Sequence, residues 1–445
     1  LENKKIELLS PAKNLELGKI AINFGADAVY IGANKFGARK SAGNSVSDIE
    51  ILSRYAHKFD AKVYVTLNTI LFDNELEEAR RLVWQIYESG VDALIIQDFA
   101  LFEMDLPPIP LHSSTQMNNI DLDKIKFYEK IGFQRVILAR ELSLYQIAEI
   151  NKHTTIELES FVHGAICVSY SGQCYMSAYI GGRSGNRGEC AQPCRLKYDL
   201  LDTKKNVVLK NKHLLSIKDM NRSDYLEDML NVGVTSFKIE GRLKDENYVK
   251  NVTAFYRKKL DSILQNNMNL NRLSRGMFVF NFEPDLEKTF NRAYTDYFLS
   301  GKRKKINSAT SKSLGKRLGK VSISTDKYIV IDTKEKINTG DGLCYFDKNG
   351  QLQGFSVNKL ENNKIFSSKH LDLQVGTEIY RNFDINFNKK LQQIDNCRYV
   401  LVELFFSQTE NGFVLKAKTI EGDYVVQKEL FFKKEPAQKP QKHIE

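Results

Sequence analysis

A chain of 445 residues is longer than one hydrophobic core usually organises, so a large domain and at least one smaller one are expected, with no need of disulfides. Its 65 Lys and Arg against 55 Asp and Glu give a formal charge of +10, which permits a phosphate-bearing partner without requiring one. No apolar run approaches the ~18 residues of a membrane span and no basic-then-apolar signal opens the chain, so a soluble, cytoplasmic protein with no membrane partner is expected, and its six cysteines are not read as a disulfide framework.

From the first residues onward, short β-branched runs alternate with amphipathic stretches, the pattern of βα units around a parallel sheet. Strands are expected near Ile6–Leu9, Ala28–Ile31, Lys62–Leu67, Ala93–Ile96, Pro110–Ser114, Arg135–Ala139, Ile156–Val162 and Thr235–Ile239. Helical periodicity falls between them at Asn14–Phe24, at Glu75–Ser89 with Leu76, Ala79, Leu82, Val83 and Ile86 on one face, and at Ser143–Asn151 behind a capping serine. Eight such units predict an α/β fold, a TIM-like (βα)8 barrel over residues 1–300. The alternative, an open doubly wound sheet, lacks a GxGxxG after its first strand.

The crossover between the seventh and eighth strands is far longer than the ~30 residues of an ordinary unit. Its excess, a cysteine-rich insertion at about 164–215, reads HGAICVSYSGQCYMSAYIGGRSGNRGECAQPC from His163 to Cys194. Cys167, Cys174, Cys190 and Cys194 stand in the spacing C-x6-C-x15-C-x3-C. Four thiolates satisfy a 4Fe-4S cluster or a tetrahedral zinc, and free buried thiols are the bland alternative. Zinc knuckles present two tight pairs, which the six-residue gap denies, so an iron–sulfur cluster is expected. Glycines at 172, 181, 182, 185 and 188 would let the chain fold closely around it. Cys344 and Cys397 lie far off in sequence and are read as core thiols.

After a helix near Asp245–Gln265, residues 301–318 form a basic stretch containing Lys302, Arg303, Lys304, Lys305, Lys312, Lys316 and Arg317 without an acid, a solvated linker or an RNA contact. Residues 319–432 carry short alternating runs punctuated by Asn-Gly at 349 and 411, the pattern of a small antiparallel β-barrel-like domain. Residues 433–445 are polar with two prolines, a tail or the start of a further region.

In a barrel of this kind the strand C-termini carry function. They supply Ser10, Asn68, Gln97, Asp98, His112, Ser113, Thr115, Gln116, Arg140, Glu141, the run from Glu159 to His163, and Lys238, Glu240 and Arg242. Isolated polar residues there are ordinarily helix caps, but Arg140, Lys238 and Arg242 on one mouth would suit a carboxylate or phosphate. Arg140, Glu141, His163, Lys238, Glu240 and Arg242 are the catalytic candidates, and Asn68, His112, Gln116 and Lys302–Lys305 the substrate-binding ones. His163, four residues before Cys167, is read either as a proton donor beside the cluster or as a packed histidine.

The segments ELLSPAKN (7–14), GADAVYIG (25–32), LHSSTQMN (111–118), RVILAREL (135–142), ELESFVHGA (157–165) and SFKIEGR (236–242), with the cysteine run, resemble the collagenase-like peptidase family, class U, family 32. Members are known as oxygen-independent hydroxylases with an iron–sulfur cluster, acting on tRNA wobble uridine, a large-subunit rRNA cytidine or a ubiquinone precursor. The resemblance implies an RNA partner and prephenate as a small dicarboxylate co-substrate; a cluster taking part in the chemistry would also call for an electron-transfer partner. KHLLSIKD (212–219), YVKNVTAFYRKKLD (248–261) and EKTFNRAYTDYF (287–298) look most like the rRNA-cytidine branch, whose members carry a β-rich segment and a further region after the barrel. The historical peptidase label finds neither HExxH nor G-x-S-x-G here. A non-catalytic RNA-binding or redox-sensing module is the third reading.

Overall fold

The computed structural model describes residues 4–39, 42–302, 306, 309–369, 371, 373–420 and 425–431. Eight parallel strands, β1 Lys4–Ala12, β2 Ala28–Ala33, β3 Lys62–Leu67, β4 Ala93–Ile96, β5 Leu111–Ser113, β6 Arg135–Ile137, β7 Glu157–Gly164 and β8 Val234–Ile239, pair in chain order. The pairing of β8 with both β7 and β1 closes the barrel. Each expected strand is present within a few residues of its place.

Helices follow the strands: α1 Leu15–Asn23, α2 Val46–His57, α3 Leu76–Glu88, α4 Leu122–Ile131 and α5 Leu144–Lys152. Their starts are chemically marked. The Asn14 side chain accepts from the Leu17 amide, and Ser143 with Gln146 closes a reciprocal capping box. Apolar faces of these helices meet the outer side of the strands in one large core that includes Leu8, Val29, Val63, Leu94 and Phe237.

Strand alternation turns a different set inward. Leu9, Tyr30, Tyr64, Ile95, Ile137 and Phe161 form a smaller apolar layer. Beside it runs a buried ionic chain: Arg135 donates to Glu7 at 2.6 Å and to Glu159 at 3.2 Å, and Lys238 donates to Glu159 at 2.6 Å. Each charge in that chain faces an opposite one, the condition under which ionic groups can be buried.

The long crossover leaves β7 and returns through Asp219–Asn221, which pairs antiparallel with β7 at Met220–Gly164 and Asn221–His163. Within it lie the short helix α6 Met176–Gly181 and an exposed hairpin, Tyr198–Leu201 with Val207–Lys212. The short helix α7 Leu226–Asn231 then leads into β8. Helix α8, Glu246–Gln265, is N-capped by Asp245 and buries Arg257, which pairs with Asp27 at 2.9 Å.

The expected basic linker is shorter and less solvated than its composition suggests. Strand β9 already begins at Lys316, and the Ile306 and Thr310 carbonyls accept from the Lys218 amide and the Ser216 hydroxyl. Lys316 pairs with Asp285 and Glu335, and Arg317 with Glu378, so acids distant in sequence neutralise them. Arg303, Lys304, Lys305 and the 433–445 tail lie outside the described residues.

The expected β-domain consists of two sheets. Strands β9 Lys316–Ser324, β10 Ile329–Asp332, β11 Gly342–Phe346, β12 Leu352–Ser356, β13 Lys359–Glu361, β14 Lys364–Phe366 and β15 Glu378–Phe383 form an antiparallel sheet in the order β12-β11-β15-β9-β10-β14-β13. The expected antiparallel pairing is present, and among the described residues the edge strands β12 and β13 do not pair with each other. Helix α9, Ile385–Gln392, docks on the barrel through Phe387 and Leu391 against Phe24, Ala254 and Phe282. Strands β16 Val402–Thr409, β17 Gly412–Thr419 and β18 Val425–Phe431 form a separate antiparallel sheet. Both expected Asn-Gly positions are hairpin turns, at β11–β12 and β16–β17. Cys344 and Cys397 are buried, as read from sequence.

Candidate active site at the barrel mouth

A cavity of about 740 Å³ opens at the C-terminal ends of the strands. The barrel supplies its floor and one wall, and the cysteine-rich insertion supplies the other: Asn68, Gln116, Arg140, Lys238, Glu240 and Arg242 face Cys167, Cys174, Cys190 and Cys194 across the same space.

The floor is a cationic cluster around one carboxylate. Glu240 faces Arg140 at 3.5 Å and Arg39 at 3.8 Å. Burial would raise its pKa, but Arg39, Arg140, Arg242 and Lys238 together outweigh burial and hold it below the usual carboxylate range. Arg140 lies over the Phe161 ring at 4.0 Å, and Lys238 over the Tyr30 ring at 4.5 Å. Arg242 donates to the Thr66 hydroxyl at 2.7 Å. Burial pulls the Lys238 ammonium below its ordinary value despite its bond to Glu159. Three guanidiniums around a single Glu240 leave the floor short of negative charge, an arrangement that receives an anion.

The insertion is fastened by specific contacts. Glu141 accepts from the Ser171 amide and, at 2.8 Å, from its hydroxyl. Arg187 forms a two-pronged pair with Glu75 at 2.7 Å and lies over the Phe72 ring at 4.2 Å. Gly172 has φ +76°, and a Cβ there would stand 1.9 Å from the Gln116 carbonyl oxygen; at Gly188, with φ +79°, it would stand 2.6 Å from the Gly37 carbonyl. Gly182 also takes positive φ, whereas Gly181 and Gly185 do not.

All four thiols border the cavity, Cys190 exposed and the other three half-buried. Burial pushes the Cys167 and Cys194 thiols up, and Cys174 raises both further. Among the described residues no three Cys, His, Asp or Glu side chains are grouped closely enough to hold a single metal ion.

Several candidates sit elsewhere. His163 is 1% exposed, ringed by Tyr248, Tyr256 and Tyr294, and burial with the Lys244 charge lowers its pKa to about 3. His112 is buried edge-on to Tyr64, and burial, then Arg135 and Lys238, keep it neutral. Neither lines the cavity, and Glu141 fastens the insertion instead of facing the space. Lys302 is exposed and outside the lining.

Sequence reading missed Arg39, Arg195 and Arg292, all of which line the cavity. Arg39 follows β2, so the strand-end rule would have found it had strand two been inspected. Arg195 is adjacent to Cys194 and ties the middle of the insertion to its own two ends, donating to the Ile166 and Ile217 carbonyls at 3.0 and 2.7 Å. Arg292 pairs at the mouth with Asp219, a contact between distant loops that no local pattern announces.

Residues 13–309 match the family described as Peptidase family U32. The chain belongs to that family. This U32 chain is 42% identical over 433 residues to the 23S rRNA 5-hydroxycytidine C2501 synthase of Escherichia coli (strain K12), covering 95% of itself and 66% of that protein. It is 36% identical to the tRNA hydroxylation protein P1 of Bacillus subtilis (strain 168), covering 67% of itself and 72% of that protein. It is 28% identical to the collagenase of Porphyromonas gingivalis (strain ATCC BAA-308 / W83), covering 77% of itself and 81% of that protein. No helix among the described residues is long and apolar enough to cross a membrane.

Proposed function

We propose that the protein is an RNA-modifying enzyme that hydroxylates C5 of a cytidine in large-subunit rRNA without molecular oxygen. The observation carrying this reading is the meeting, in one cavity, of four cysteines and a cationic floor. The relatives named as RNA hydroxylation proteins support the reaction class.

Cys167, Cys174, Cys190 and Cys194 would hold a 4Fe-4S cluster. All four thiols border one cavity, and four thiolates are the ligand complement of such a cluster. When bound, such a cluster would supply electron transfer; with water as the oxygen source, turning C–H into C–OH releases two electrons and two protons, so an electron-accepting partner belongs to the proposal. Arg39, Arg140 and Arg242 would bind a small dicarboxylate, prephenate being the co-substrate proposed. Glu240 would keep the guanidiniums apart and oriented until that anion displaces it.

The peptidase reading lacks its chemistry. Among the described residues no histidine lines the cavity, so its serines and cysteines meet no imidazole base from them. Hydroxylation of a tRNA wobble uridine is the alternative that the B. subtilis relative favours.

Mass spectrometry of rRNA and tRNA nucleosides from a deletion strain tests all three. The expected result is loss of 5-hydroxycytidine, restored by the wild-type gene and not by Cys167→Ser. Loss of 5-hydroxyuridine instead would transfer the activity to tRNA, and unchanged levels of both would overturn the proposal. Anaerobically prepared protein is expected to carry about four irons per chain; zinc in their place would remove the cluster.

A further inference from the structure

The outer surface of the cysteine-rich insertion has properties that holding four thiols does not require. Residues 165–212 contain eight Lys and Arg against three Asp and Glu; with Arg187 paired to Glu75 and Arg195 bonded to backbone carbonyls, Arg183 and the five lysines are left for the outer surface. Three tyrosines stand on it in the open: Tyr170 is 64% exposed, Tyr175 61% and Tyr179 92%. Their backbone positions are set by the cavity wall. Tyr170 precedes Ser171, the residue clamped by Glu141, and Tyr175 sits between Cys174 and Met176, both lining residues. Tyr179 follows one turn along α6.

Beyond Cys194 the chain enters the exposed hairpin, whose first strand is anchored by the Tyr198 hydroxyl donating to the Pro193 carbonyl at 2.8 Å. Lys204, Lys205 and Lys210 project from this hairpin into solvent. Lys212 at its end donates to the Asn349 carbonyl at 2.7 Å, bracing the hairpin against the turn between β11 and β12.

We infer that this face is a single-stranded RNA track, on which the tyrosines stack the bases flanking the target while the hairpin lysines hold phosphates. The inference rests on the hydroxylase reading and says how the base reaches the cavity. C5 of a stacked, paired cytidine is inaccessible to a recessed site, so the nucleotide must be turned out of its stack, and its neighbours then need replacement stacking partners. Aromatic rings beside a positive groove provide this without reading sequence, since every base has a π-face. A protein ligand would fit this surface less well, because covering it would desolvate the hairpin lysines without a fixed arrangement of acids to meet them.

The test is anisotropy titration of the full chain with a fluorescein-labelled 12-nucleotide cytidine-rich single-stranded RNA. Tyr175→Ala and Tyr179→Ala together are expected to weaken binding about tenfold or more, and the corresponding Phe variants to bind as wild type, because stacking needs the ring and not the hydroxyl. The triple variant Lys204→Ala, Lys205→Ala, Lys210→Ala should flatten the slope of log affinity against log salt by about 2, from about 0.7 per single-strand phosphate contact. Wild-type binding by the alanine tyrosine variants, with the salt slope also unmoved in the lysine variant, would overturn the track. Nucleoside mass spectrometry of strains carrying these variants separates the two levels. Persistent 5-hydroxycytidine with the tyrosine alanines defeats the track and leaves the hydroxylase reading standing; absence of any effect of the whole-gene deletion defeats the reading itself.

Discussion

Glu240 shows how one side chain can set the character of a site. Its carboxylate stands among Arg39, Arg140, Arg242 and Lys238, and those charges keep its folded-state pKa below the usual value. A depressed carboxylate contributes stability that is fully present above the unfolded pKa of about 4.3 and is lost as pH falls through the folded value. Glu240→Gln should remove that acid limb and lower stability at pH 7 by on the order of 2 kcal/mol. That is less than for a fully enclosed pair, because 16% of the Glu240 side chain is exposed. Denaturant titrations at pH 7 and pH 4 check this, and identical pH profiles for variant and wild type would contradict it. Arg140, Lys238, Glu240 and Arg242 were legible in sequence because each stands at the end of a strand with an obvious apolar pattern. His112 and His163 were misplaced by the same rule: a strand end supplies residues to the mouth, to the barrel interior and to the outer helices, and side-chain alternation over one or two residues decides which.

Among the elements, the barrel strands announced themselves because each is a short β-branched run buried on both sides, and the helices because their caps and apolar faces are local. The C-terminal sheets were legible as hairpins but not as two separate bodies, since strand order depends on pairings between segments far apart, such as β15 between β9 and β11. The insertion was visible only as excess length with cysteines, and its attachment to the barrel depends on residues from other loops. Glu141→Ala would strip the partner from the buried Ser171 amide and hydroxyl, at a cost of about 1–3 kcal/mol, while the eight-strand ladder stays intact. The expected outcome is a barrel with near wild-type circular dichroism whose proposed cluster loses iron to a chelator several-fold faster. Equal rates of iron loss would show that the clamp does not govern the wall.

At the scale of the whole molecule, α8 joins the barrel to the C-terminal region. Lys250 is buried on the face toward α9, where its ammonium donates to the Leu391 carbonyl at 2.9 Å and the Ile394 carbonyl at 2.6 Å, and pairs with Glu246. Arg398 adds donations to the Ile22 and Ala26 carbonyls at 3.2 and 3.1 Å. These contacts predict that the barrel and the β9–β15 sheet unfold together. Lys250→Met should strip the Ile394 carbonyl of its ammonium donor while the Leu391 carbonyl keeps its backbone one, cost about 1–3 kcal/mol, and split a single thermal transition into two in calorimetry. One undivided transition at the wild-type temperature would refute the coupling.

The antiparallel return of Asp219–Asn221 alongside β7 stitches the two ends of the insertion together at its base, so residues 165–218 leave the barrel and rejoin it at nearly the same point. Closing such an excursion costs an entropy that grows only with the logarithm of its length. The insertion is therefore a cassette: its thiols, rings and lysines can be exchanged as one unit while the (βα)8 scaffold keeps its register, and a graft between β7 and β8 is the natural way to change what the same cationic floor admits.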